Sequence, residues 1–284
     1  MDTSEAHTST VLEAARSGEP DRYLAALLAR ADQREALLAL AAFSAELARI
    51  PLRIVHEPTM GEIRLQWWRD ALDLPVPLRT GNPVADALRD AARQHDLPAR
   101  LLEAMIDARS LLLERTGALT VEEAADLLWK SEGALFALGA RVTGLSLEPD
   151  FEANCATCGT AYGLARLLME LPQMAVHGLV PLAAAQLEAA GLAAEDMRAG
   201  WVDARVQTLV DVCSAQIEGS MAAARQFTRQ LPRSGRVAFL PLALVRPYLR
   251  VLKRSGPALL RTQARVAPLT RVWKIGAAHV LGRW

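Results

Sequence analysis

After Glu218 the sequence has no acidic residue. The stretch 219–284 holds 13 of the 32 lysines and arginines, leaving 19 cations against 32 acids before it. A formal net charge of zero therefore conceals −13 followed by +13, and a basic segment of this kind implies an anionic partner or a seat on the acidic part of its own chain. Aromatic residues are scarce at 5%, while Ala, Leu and Arg dominate, a mixture of strong helix formers. The three cysteines, Cys155, Cys158 and Cys213, are odd in number and do not read as a disulfide framework. Long hydrophobic runs are missing too. "ALLALAAFSA" at 36–45 is closed by Glu35 and Glu46 and is too short for a membrane span. The uncharged run 171–187 is broken by Pro172 and Pro181 and carries His177. The first residues include Asp2 and Glu5 with no apolar stretch, which does not fit a secretory or transit peptide. A reducing cytoplasm is the expected compartment.

What is present is three-and-four spacing of apolar residues in nearly every segment, with apolar residues at 51% of the chain. The spacing predicts a helix from Asp21, read as an N-cap, to about Pro51. Others follow from Pro58, over "NPVADALRDAARQH", and after Pro98. Thr120 with Glu123 three residues on forms a capping-box pattern, and Gly144 is a natural stop. A long helix is expected over about 150–170, then helices over 195–230, 236–254 and near 268–281. Period-two alternation, internal repeats and flexible linkers are not visible. The reading is a single all-α domain over 1–284, with a basic C-terminal extension at about 255–284.

Three stretches, in order, carry a resemblance: "ALLALAAFSAELARI" with "GEIRLQWWRDAL", "LLWKSEGALFALGARVTG", and "GTAYGLARLLMELPQMAVHGLVPL". Together they resemble the squalene/phytoene synthase family of head-to-head isoprenoid synthases over roughly residues 20–250. The resemblance implies an all-α isoprenoid synthase-like bundle around a deep central cavity. It also implies two aspartate-rich motifs that hold magnesium, which grips a substrate diphosphate. Hard cations take oxygen ligands, and acids four apart project from one helix face.

The sequence departs from that pattern where the acids should lie. The first motif falls on Ala48, Arg49, Ile50, Pro51 and Leu52, without a carboxylate. In the second, Glu170 matches the first aspartate, but Gln173 and Met174 stand at the later acids. A thioether is a poor magnesium ligand. The same departure resembles a branch of the family related to mitochondrial assembly factors for respiratory complex I, which implies binding and assembly without prenyl transfer. No cofactor is then expected, and magnesium only if the chain is an active prenyltransferase that recruits other acids, such as Glu62, Asp107, Glu132 or Glu170.

Each remaining candidate has a functional and a structural reading. Glu170 is a residual metal ligand or the i+4 partner of Arg166. Arg64, Gln66, Trp67, Trp68, Arg69 and Asp70, with Trp129, are partner-facing or cavity-lining, or one Trp is core and the other covers a helix junction, since adjacent helical residues point about 100° apart. Cys155 and Cys158 read as small core residues rather than a metal pair. Of His56, His95, His177 and His279, His177 lies beside the degenerate motif, with a capping or surface role as its plain reading. The C-terminal "VAPLTRVWKIGAAHVLGRW" suits either a membrane interface or a terminal helix docked on the bundle. Three functions stay open: a binding or assembly factor with a protein partner, such as a respiratory complex subunit, at an anionic membrane surface; an active prenyltransferase joining two allylic diphosphates; and a lipid or isoprenoid carrier. Nucleic acid is not expected, because no motif or stacking surface accompanies the charge.

Overall fold

The computed structural model describes residues 3–53, 57–115, 117–262 and 264–282. Helix α1 (Thr3–Gly18) is followed by α2 (Pro20–Leu27), α3 (Ala31–Arg53), α4 (Pro58–Asp73), α5 (Pro83–His95) and α6 (Ala99–Glu114). Then come α7 (Val121–Leu128), a π-helical turn (Trp129–Gly133), α8 (Ala134–Val142) and the long α9 (Pro149–Val176). The short α10 (Ala184–Ala189) and α11 (Ala194–Arg198) lead to α12 (Ala204–Gln230), a 3-10 segment (Arg233–Leu244) and α13 (Val245–Ser255). A second 3-10 segment (Gly256–Arg261) and α14 (Pro268–Leu281) complete the described chain. Among the described residues the one trace of β pairing is an isolated bridge between Leu119 and Ala183.

The chain's local chemistry explains most of these boundaries. Asn82 caps α5, its side chain accepting from the Val84 and Ala85 amides. Thr120 and Glu123 close a reciprocal capping box at α7, the Glu123 amide donating to Thr120 Oγ1 at 3.1 Å and the Thr120 amide to Glu123 Oε2 at 2.9 Å. Gly144 ends α8 with φ +84°, a left-handed conformation that glycine adopts without strain.

Several expectations change. The helix anticipated over 21–51 is two helices, broken at Leu28–Arg30. The break contains no proline or glycine, so it comes from packing: it lets α2 fold back onto α3. Asp21 is not an N-cap. That position belongs to Glu19, with Pro20 next, and Asp21 sits buried in the first turn. The helix expected over 120–144 is interrupted by the π-helical turn, that over 195–230 is broken at 199–203 into α11 and α12, and that over 236–254 begins as 3-10 around Pro241. In contrast, α9 runs through Pro172 to Val176, beyond the expected stop.

The core follows the apolar faces. One cluster of buried apolar side chains extends from Val11 to Ala278, with Tyr162, Phe43, Phe136 and Phe239 among its largest members. Phe136 and Phe239 stack with centroids 5.5 Å apart, and Tyr162 meets Phe136 edge-on. Helix α9 packs on α12, α8, α13 and the π-helical turn, so its residues face most of the bundle. A cavity between α2, α3, α8 and the Arg233–Leu244 segment holds about 20 Å³, room for about one water molecule.

Candidate functional site: a buried ionic cluster

Glycines allow the site to form. A Cβ on Gly159 of α9 would stand 2.6 Å from the Gly133 nitrogen and 2.8 Å from its Cα. One on Gly163 would stand 2.9 Å from Glu132 Cγ. Without side chains at these positions, α9 lies directly against the π-helical turn, and that turn aims Glu132 at Arg166, one helical turn beyond Tyr162. Single π turns of this kind re-aim side chains within otherwise regular helices.

Arg166 is the hub. Its Nη1 donates to Glu19 Oε1 at 2.5 Å and to Glu132 Oε1 at 3.4 Å, its Nε to Glu170 Oε1 at 2.8 Å, and its Nη2 to the Gly18 carbonyl at 3.2 Å. Glu19 is 1% exposed and also accepts from Ser44 Oγ at 2.8 Å. Arg22 donates to Glu132 Oε2 at 2.6 Å and lies over the Phe136 ring at 4.5 Å, a cation–π contact strengthened by desolvation. The Arg22 Nε faces Glu19 Oε2 at 3.7 Å, and neither atom has a hydrogen-bond partner.

A second knot joins both ends of the chain to α9. Asp21 accepts from Tyr162 Oη at 2.9 Å, from Tyr248 Oη of α13 and from Arg271 of α14. Arg271 also donates to Tyr248 Oη at 3.1 Å. The basic C-terminal helix is thus docked on the bundle through Arg271, together with the buried Ile275 and Ala278.

Electrostatics sort these groups. Burial opposes the Glu19 charge and leaves its carboxyl above the usual range, despite Arg166. Glu132 is just as desolvated, but Arg22 and Arg166 together hold its carboxyl below that range. Arg166 and Arg22 are held charged by their acids against burial. Half-buried Arg109 of α6 is pushed down by desolvation, its Nε unpartnered, while it feels Glu132, Glu170 and Glu19. Burial drives the Tyr162 and Tyr248 hydroxyls well up, so both stay neutral donors. Glu19, Asp21, Glu132 and Glu170 therefore meet Arg22, Arg109, Arg166 and Arg271, four carboxylates with four guanidinium groups. Guanidinium does not give up its proton at accessible pH, and each of the four carboxylates is bonded to arginine through at least one oxygen. The arrangement locks helices together.

The residues singled out from the sequence divide accordingly. Arg166 and Glu170 are in the cluster, and Glu170, 43% exposed at its side chain, is paired with Arg166. Glu132 is central. Ala48 and Leu52 are half-buried and bring no oxygen donor, while Arg49 bonds Glu46 and Ser17. Met174 is half-buried and Gln173 exposed. His177 is the C-cap residue of α9. Trp68 is buried against Phe43 with centroids 5.0 Å apart, and Trp67, 40% exposed, lies edge-on to it. Arg64 and Gln66 are exposed, with Gln66 on Asp70, and Arg69 pairs with Asp107. Trp129 is half-buried over Gly133. Cys155 and Cys158 are buried free thiols, and His56 lies outside the described residues. Glu62 joins Ser110 on the α4–α6 seam that holds the Arg69–Asp107 pair, while Glu132 and Glu170 share Arg166. Among the described residues no three His, Cys, Asp or Glu side chains gather where they could hold a metal. Sequence reading missed Glu19, Asp21, Arg22, Arg109, Tyr162, Tyr248 and Arg271. Its one available signal was the charge pair Asp21-Arg22 opening a strongly apolar helix.

The squalene/phytoene synthase profile matches residues 15–273, the whole ionic cluster included. The chain belongs to the squalene/phytoene synthase family. Among solved structures, it superposes on a dehydrosqualene synthase with TM-score 0.81 at 15% identity, covering 98% of this chain and 96% of that one. The squalene synthase of Alicyclobacillus acidocaldarius gives TM-score 0.70 at 17% identity, with 88% and 94% covered. At these identities the likeness establishes the all-α isoprenoid synthase fold. In sequence the family member is similar to NADH dehydrogenase (ubiquinone) complex I, assembly factor 6, of Bos taurus, 30% identical over 237 residues, covering 81% of this chain and 68% of that protein. The Homo sapiens protein of the same name is 27% identical over the same length.

Proposed function

We propose that this family member has lost prenyl transfer and works by binding, as an assembly factor for a respiratory complex of the complex I type. A protein subunit of that complex is its partner, and the cytoplasmic face of the membrane is its place of action. The observation that carries this reading is the fate of the acids. Glu170, the carboxylate at the metal-binding position, is bonded by Arg166, and positions 48–52 offer no oxygen side chain. Magnesium gripping a diphosphate needs several free oxygen ligands at one place. Here the buried carboxylates are already neutralised by arginine, and this donor set does not fit such a site. The sequence similarity to proteins named complex I assembly factor 6 supports the assembly role.

Purified protein incubated with farnesyl or geranylgeranyl diphosphate and magnesium should release no pyrophosphate beyond the no-enzyme rate. Deleting the gene in its host should lower assembled complex I. Robust pyrophosphate release, abolished by Glu170→Gln, would overturn the reading.

A further inference from the structure

Helix α14 is apolar on two opposite faces. Arg271, Ile275 and Ala278 turn inward, and the last two are buried. On the other side, Leu269, Val272, Trp273 and Val280 fall at i, i+3, i+4 and i+11 and are 83%, 53%, 73% and 77% exposed. One helical face therefore presents a stripe of large apolar side chains to water, where isolated exposed apolar residues would be ordinary but a contiguous set marks a docking surface.

The end of α14 is tied to a basic region. Arg236 donates to the Gly282 carbonyl just past α14 at 3.2 Å, and to the Arg229 and Leu231 carbonyls at the end of α12, each at 2.9 Å. This arginine ties the end of the stripe to the end of α12. There Arg225 lies close enough to Arg229 and to Arg246 of α13 to feel both charges. Burial, and then the charges of Arg246 and Arg229, push the Arg225 guanidinium down. Like charges held side by side repel, and no acid follows Glu218 in the sequence to relieve them. Among the described residues no helix is long and apolar enough to cross a membrane.

We infer that the outer face of α14 and the arginines at the ends of α12 and α13 form one surface that docks on an anionic phospholipid bilayer. Trp273 and its aliphatic neighbours enter the headgroup–acyl boundary, and Arg225, Arg229 and Arg246 meet the lipid phosphates. Charge complementarity favours this occupant. The arginines need a dense anionic surface, and the adjoining stripe needs an apolar phase, which a bilayer interface supplies together. A nucleic acid would leave the aliphatic residues in water. The inference names the lipid surface for the membrane location proposed above and rests on that reading only for its setting.

Flotation of the purified full chain with vesicles tests it. Phosphatidylcholine vesicles containing phosphatidylglycerol should carry the protein up, more weakly as salt rises, and phosphatidylcholine alone should not. Arg229→Gln and Arg246→Gln should each lower partitioning about five-fold, the fold-change for about 1 kcal/mol per basic residue near an anionic surface. Trp273→Ser with Val280→Ser should lower it further at unchanged melting temperature, since both side chains face water. Absence of flotation, or equal flotation of wild type and variants, would overturn the inference. So would a dimer in gel filtration that Trp273→Ser dissolves without lipid, which would assign the face to a second copy. Because the vesicle assay contains no respiratory subunit, its failure would leave the assembly reading standing.

Discussion

Replacing Arg166 by methionine tests whether the ionic cluster holds the bundle. The substitution keeps length and removes charge and five donors. In the wild type, Arg166 serves Glu19, Glu132, Glu170 and the Gly18 carbonyl. Glu19 is 1% exposed and Glu132 8%, so neither can recover water. Glu132 keeps Arg22, but Glu19 is left with Ser44 and a distant Arg22 Nε. Removing one partner of a buried pair costs about 3–5 kcal/mol, because the other charge stays buried and unpaired. Glu170 adds little to this figure, being partly exposed, where ion pairs contribute about 0–1 kcal/mol. Folded proteins hold roughly 5–15 kcal/mol in all. At about 2.1 cal/mol/K of unfolding entropy per residue, a loss of this size lowers the melting temperature of a chain this long by about 5–8 °C. Urea unfolding of Arg166→Met, Glu19→Gln and the double variant closes a cycle. The double variant should be more stable than Arg166→Met alone, since it no longer buries an unpaired carboxylate. Arg166→Met within about 0.5 kcal/mol of wild type, the range of ordinary surface substitutions, or additive effects in the cycle, would refute the reasoning.

Three further outcomes follow from close packing. Gly159→Ala should destabilise by about 1–3 kcal/mol, the usual cost of overpacking, because its Cβ meets backbone atoms of Gly133 that cannot rotate away; unchanged urea unfolding would contradict the contact of α9 with the π-helical turn. Burial pushes the Cys158 and Cys213 thiols up to about 12 from an ordinary 9.0, and Cys155 up as well. Native protein near pH 8 should therefore leave a thiol reagent almost unreacted, and urea should expose all three groups. With folded-state values raised, the thiols ionise first in the unfolded chain, so their stabilising contribution is complete below about pH 9 and declines as pH rises from 9 towards 12; stability that rises over this window would contradict their burial.

Helical class, most helix starts and the bounds of α14 were legible in the sequence, because three-and-four spacing, caps and prolines act within a few residues of themselves. Thr120 with Glu123, Pro58 and Gly144 behave as their local chemistry requires. The absence of carboxylates at 48–52 and 174 is likewise a matter of which side chains are present. The ionic cluster was not legible. Glu19, Asp21 and Arg22 look like ordinary solvated residues at a helix start until Glu132, Tyr162, Arg166, Tyr248 and Arg271 are brought to them from 110 to 250 positions away. The break at Leu28–Arg30 is of the same kind, since every residue there favours helix and only packing of α2 on α3 opposes it. Periodicity reports which face is apolar, but a charge carries no mark of burial, and its partner is chosen by the tertiary fold.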